Sequence, residues 1–255
     1  MVITTTAIGF ILLGLGLTFC GWRFLKAFQK IGGLKSGSRI GFLLTLFLFG
    51  FAFQTGVILG FGTLFTAPDP KGILLVFIFA NLFLTFLAML GIYTAYYIFL
   101  PRKSPMTLMI IAFLIGVVTF VFTLMYPPQP FVAASGGIEW GISFPLSLLV
   151  FYLLLFGICA QLYIFGRLFF QEKTSEIKIL SFVLTLLAFG GIIDQFVRFI
   201  LLHGAADDIR TRIYDITTAV IGMTFIVYFV FFPLFRSYRS TKSRDSRFNQ
   251  FSQKI

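Results

Sequence analysis

Three ionisable residues fall inside apolar runs of this chain, all toward its C-terminal end: Asp194, Arg198 and Asp215, with His203 at the turn between the two runs. A charge inside a bilayer is expensive, so it persists where it is paired, faces water or has a task. Asp194 and Arg198 are spaced i and i+4 with the acid first, the favourable order for a pair on one helix. At about 1.5 Å per residue, Asp194 lies about 13 Å below the helix end at His203 and Arg198 about 7 Å below it. Asp215 descends from that same end, so Arg198 can reach either acid with its stem snorkelling outward. Such a set can line a polar site that binds a solute or relays protons, or it can clamp two helices together. Gln54 and Asn81 fall near the middle of two earlier apolar runs, and Gln161 falls nearer the end of another. Amides at such depths serve as hydrogen-bond glue between helices or as donors and acceptors for a solute. The candidate polar site is therefore Asp194, Arg198, Asp215, Gln54 and Asn81.

The elements that must position these residues are membrane spans. The chain has 255 residues, 58% hydrophobic and only 11% charged, with 37 Phe, and no stretch of it could form a separate soluble domain. Its mean hydropathy is +0.99, outside the range of soluble proteins. Seven apolar runs are long enough for a hydrocarbon core about 30 Å thick. They cover residues 1–22, 40–65, 72–100, 106–125, 144–165, 179–202 and 213–235. Ser104 and Pro105 read as an N-cap and N1 proline opening the fourth, and Asp207 with Asp208 precede the seventh, where acids suit a helix N-terminus. The expected fold is an all-α bundle of seven transmembrane helices over residues 1–235, followed by a basic cytoplasmic tail at 236–255.

Charge sets the expected orientation. Residues 23–39, 102–103, 167–178 and the tail hold 16 of the 20 Lys and Arg, and all fall on one side of a seven-span chain. The positive-inside rule then puts the N-terminus outside and the C-terminus inside, in a plasma (cytoplasmic) membrane. The first run has no Lys or Arg before it, and Phe19 ahead of Cys20 is a poor lipoprotein site, so it reads as an uncleaved helix. The net charge of +11 comes from clusters beside apolar runs, a pattern that argues against nucleic acid as a partner. The expected partners are the lipid bilayer, anionic lipid at the tail, and a small-molecule ligand or a protein. Cys20 and Cys159 sit within apolar runs without metal-ligand spacing, so no metal or other cofactor is expected.

Two offsets hint at an internal repeat. Phe42–Leu46 reads against Phe182–Leu186 at an offset of 140, which sets Gln54 against Asp194. Tyr96–Pro101 reads against Tyr228–Pro233 at an offset of 132. This is the pattern of two parallel three-span units around a linking fourth span. Gly14 with Gly16, and Gly56 with Gly60 and Gly62, offer small-residue spacing for close helix packing.

Ser135 together with His203 resembles the Ser–His dyad of rhomboid-type intramembrane proteases. Ala133 stands where that motif has glycine, however, so no enzyme is expected. The seven spans and orientation are similar to those of microbial rhodopsins, but residues 213–235 lack the Lys that would carry a Schiff base. The three-one-three layout resembles sugar carriers of the PQ-loop type, whose Pro-Gln lies within spans. Here Pro128-Gln129 lies in a loop. Three functions fit the residues: a small-solute carrier or permease with a site between spans two, three, six and seven, a sensor that signals through a partner, or a non-catalytic subunit of a membrane complex. The repeat and the Asp194–Arg198 pair favour the carrier.

Overall fold

The computed structural model describes residues 4–31, 35–134, 136–171, 175–197, 200, 213, 216 and 220, with the side chains of 27–40, 175–176 and 194 outside the description. Five helical stretches among these residues are long and apolar enough to cross a membrane: Thr5–Lys26, Gly41–Thr66, Pro70–Phe99, Met106–Met125 and Phe144–Gln171. A shorter apolar helix covers Ile177–Ile193. The protein is a helical membrane protein. The seventh run, the tail, the Arg198–Asp215 region and Ser135 fall outside the described residues, apart from helical positions at Ile200, Ile213, Ile216 and Val220.

Helix α1 (Thr5–Ile31) begins with Thr4 as its cap, the Thr4 hydroxyl accepting from the Ala7 amide at 3.2 Å. Helix α2 (Lys35–Ala52) continues without a break into a π-helix (Phe53–Phe61) and a last short turn, α3 (Gly62–Thr66). The π-helix was not foreseen from the sequence. Its wider winding re-aims side chains in mid-membrane, and such segments recur at functional sites. Helix α4 (Pro70–Phe99) is capped by Asp69, which accepts from the amides of Lys71 and Gly72, with Pro70 at the first position. Helix α5 (Met106–Met125) starts one residue later than expected, with Pro105 in the cap position. The Ser104 hydroxyl still accepts from the Met106 amide at 3.3 Å. Two longer helices, α6 (Phe144–Gln171) and α7 (Ser175–Phe196), complete the described bundle.

Five rods form a ring. α1 packs along α2 and the π-helix, α2 and the π-helix against α4, α4 against α6, α6 along α7, and α7 returns to α1. α5 stands outside the ring against α4 and α6, with 22% of its span buried against 44% for α4. It turns a stripe of small side chains inward, Ala112, Gly116, Thr119 and Thr123. Lipid is as apolar as leucine, so close van der Waals packing through small residues is what holds such a helix. Most of its Ile, Leu, Val and Phe side chains face outward, while Ile115 and Phe122 pack against the core.

α1 and the π-helix meet backbone to backbone. A Cβ built on Gly14 would lie 2.5 Å from Gly56 Cα, and one on Gly60 2.7 Å from Ile11 Cγ1. The small-residue spacing read from the sequence does close this contact. Threonine hydroxyls inside the helices return to the carbonyl four residues back, as Thr45 does to Gly41 at 2.7 Å and Thr94 to Leu90 at 2.7 Å. That leaves them satisfied where water is absent.

The expected all-α fold needs one addition. Between α5 and α6 the chain forms a small antiparallel hairpin, β1 (Phe131–Val132) with β2 (Ile138–Glu139), in register Phe131 to Glu139 and Val132 to Ile138. It lies at the α1 N-terminal end of the bundle. At the opposite end sit Arg23, Lys26, Arg102, Lys103, Arg167 and Lys178. Several of these cations lie over rings, Lys26 over Trp22 at 4.9 Å and Lys178 over Phe169 at 5.4 Å.

Candidate functional site

The ring of helices lines a partly open cavity of about 230 Å³. Each rod contributes to its wall because each turns one stripe inward at helical spacing. Phe10, Leu13 and Leu17 come from α1, Phe77, Ala80 and Leu84 from α4, and Leu184, Ala188 and Gly191 from α7. Most of the wall is aliphatic or aromatic carbon. The polar groups are few and come from four different rods: Gln54 with Thr55 on the π-helix, Asn81 on α4, Gln161 on α6 and Gln195 on α7. On α6 the lining runs from Val150 to Gln161, about 16 Å of axis at 1.5 Å per residue.

The amides are partly committed. Gln54 is buried and donates from Nε2 to the Ala80 carbonyl at 3.2 Å. That bond pins the π-helix to α4 at mid-bundle. Asn81 donates from Nδ2 to the Phe77 carbonyl at 2.9 Å, while its backbone carbonyl accepts from the Thr85 hydroxyl at 2.9 Å. A side-chain amide offers two donors and two acceptor lone pairs, so these bonds use only part of what each can do. Gln161 has no hydrogen bond to a described residue. Neutral amides in an apolar wall can hold a small polar group by hydrogen bonds without burying a charge.

One end of the cavity is covered by the hairpin. Trp140, 4% exposed, packs its ring 5.7 Å from that of Phe77, and Ile142 lines the cavity beside it. The other end is filled by Phe24, Phe47 and Phe165, all with no exposed surface, with the Phe24 and Phe165 rings 5.6 Å apart. One turn beyond the cavity on α7, Ser181 Oγ is buried without a hydrogen-bond partner among the described residues.

Of the residues singled out in the sequence, Gln54, Asn81 and Gln161 meet at this cavity. Arg198, His203 and Asp215 lie outside the described residues, as does the side chain of Asp194, whose backbone is on α7 next to Gln195. The cavity is lined from spans one, two, three, five and six, where the sequence named spans two, three, six and seven. Gln195 and Trp140 were missed too. Gln195 stands beside the more conspicuous Asp194, and Trp140 had one available signal, being one of two Trp in the chain and set in a glycine-rich loop. No family model matches the chain, and neither does any curated protein or solved structure.

Proposed function

We propose that this protein is a small-solute carrier of the plasma membrane, oriented N-out and C-in, with its solute held in the cavity inside the helix ring. The observation that carries this reading is the cavity itself: amides from four separate rods converge on one apolar chamber. Glue between two helices needs a direct bond between them, as Gln54 makes to Ala80. Gln161 makes none within the described residues, which favours an exchangeable partner. The wall suits a small solute with an apolar body and a carbonyl or hydroxyl oxygen, below the size of a drug-like ligand. The layout supports transport as well. α1 pairs with α2 and α6 with α7 along their lengths, while α5 stands outside the ring, as a linking span between two three-span units would. The basic clusters at the end opposite the hairpin support a cytoplasmic position for that end.

Screening small amides, alcohols and ketones for a rise in melting temperature of the purified protein tests the site. A genuine ligand is expected to stabilise the wild type and to lose that effect in Asn81→Leu and Gln161→Leu. Ligands whose effect survives both changes bind elsewhere, and the cavity would then have no claim to be the site. A ligand bound with no solute flux across vesicles would favour the sensor.

A further inference from the structure

We propose that the basic end of the α4–α6 seam binds an anionic phospholipid, its headgroup phosphate held by Arg102, Lys103 and Arg167 and its acyl chains lying along α5. The site does not depend on what the cavity carries. Arg167, exposed near the end of α6, has its guanidinium carbon 5.8 Å from the ring centre of Phe99 on α4 and 5.9 Å from that of Tyr163 on its own helix. The two rings meet edge to face, 5.6 Å apart at 88°. Rings from two helices fix where the guanidinium sits. They leave its five N–H donors for an oxygen acceptor, and a phosphate matches that planar fork. Arg23 and Lys26, by contrast, lie over Phe19 and Trp22 of their own helix.

Arg102 and Lys103 follow Phe99 by three and four residues, exposed in a turn that the Lys103 amide closes on the Leu100 carbonyl at 2.9 Å. The turn sets two more cations beside the ring that Arg167 covers. None of the three has a carboxylate partner among the described residues, whose acid side chains, Asp69 and Glu139, stand at the hairpin end. Basic pockets between helices at a membrane boundary take up anionic headgroups, and the first turn of α5 adds its partial positive charge at the same point. What favours a lipid over a free anion is the wall below. Met106, Ile110, Phe113 and Val117 share one face of α5, all exposed, and run from the turn toward mid-membrane. Phosphate above and apolar stripe beneath match the two parts of a phospholipid.

A bimane fluorophore on Met106→Cys, in a background lacking Cys20 and Cys159, reads lipid at this spot. The full chain is placed in phosphatidylcholine nanodiscs with a small fraction of nitroxide-labelled phosphatidylglycerol, or of phosphatidylcholine carrying the same labelled chain. Phosphatidylglycerol is expected to quench about threefold more strongly. Arg167→Gln, and separately Arg102→Gln with Lys103→Gln, should bring the two lipids close to equal. Arg23→Gln with Lys26→Gln removes as much charge from α1 and should leave the preference intact. If Arg167→Gln fails to fold, the turn variant, changed at two exposed positions, decides. Equal quenching by the two lipids in the unsubstituted site overturns the proposal, and so does an equal fall in both double variants, which would spread the effect over the whole basic end. Loss of the preference in inorganic phosphate, but not in sodium chloride of equal ionic strength, would give the site to a free anion and overturn it as well.

Discussion

At the basic end, below Gln161, three phenylalanines without exposed surface fill the ring, backed by Cys20, Leu44, Ile164 and Leu168. At the other end the β1–β2 hairpin lies across the opening, hydrogen-bonded to the first turn of α1 and packed through Ile138 and Trp140 against Phe10, Ile73 and Phe77. Hydrogen bonds of this kind are worth about 0.5–1.5 kcal/mol each in net terms. Removing one buried aromatic costs about 3–5 kcal/mol in water-soluble cores, and somewhat less where lipid replaces part of the lost contact. The floor is thus closed by side-chain packing alone and the roof by packing together with hydrogen bonds to α1.

Breaking the floor should have the largest effect. Phe165→Ala empties volume beside Phe24 and is expected to cost about 2–4 kcal/mol, near the lower part of the range for buried aromatics. Thermal melting in nanodiscs measures it, with Thr6→Val at the roof for reference, a change that removes the hydroxyl accepting from the Ile138 amide. Equal losses at the two positions would erase the contrast between the ends.

The glycines sharpen the same contrast within the wall. Gly14 meets the backbone of Gly56, which cannot step aside, whereas a Cβ on Gly191 would find Ile158 Cδ1 at 3.7 Å, an ordinary contact. Gly14→Ala is expected to cost about 1–3 kcal/mol through overpacking. Gly191→Ala should stay within about 0.5 kcal/mol of wild type, since it adds a methyl to a cavity wall. Comparable losses at both would show that α7 is packed as tightly as the α1 seam.

Much of this architecture was legible in the residues, for reasons particular to each. Apolar runs about 20 residues long announce helices because lipid leaves the backbone no other partner. Small-xxx-small spacing located the Gly56–Gly60 seam for the same physical reason. The π-helix at Phe53–Phe61 left no mark, because winding responds to packing across the bundle rather than to local composition. Gln54, Asn81 and Gln161 could be found because a buried amide is conspicuous in a chain of Leu and Phe. Their convergence could not, since it depends on which face each helix turns inward. The charged set Asp194, Arg198 and Asp215 drew the eye first. Its arrangement falls outside the described residues, with only the backbone of Asp194 placed, beside the cavity-lining Gln195.

The central claim is that the cavity between floor and roof opens to each side of the membrane in turn. Gln161 is the deepest of the lining amides, closest to the phenylalanine floor. Gln161→Cys, in a background lacking Cys20 and Cys159, can be treated with a membrane-impermeant thiol reagent, from the hairpin face in sealed cells and from the basic face in inverted vesicles. We expect labelling from both faces, in proportions that shift when a cavity ligand is added. A thiol in folded protein that reacts from neither face, or only ever from the hairpin face, would contradict a carrier.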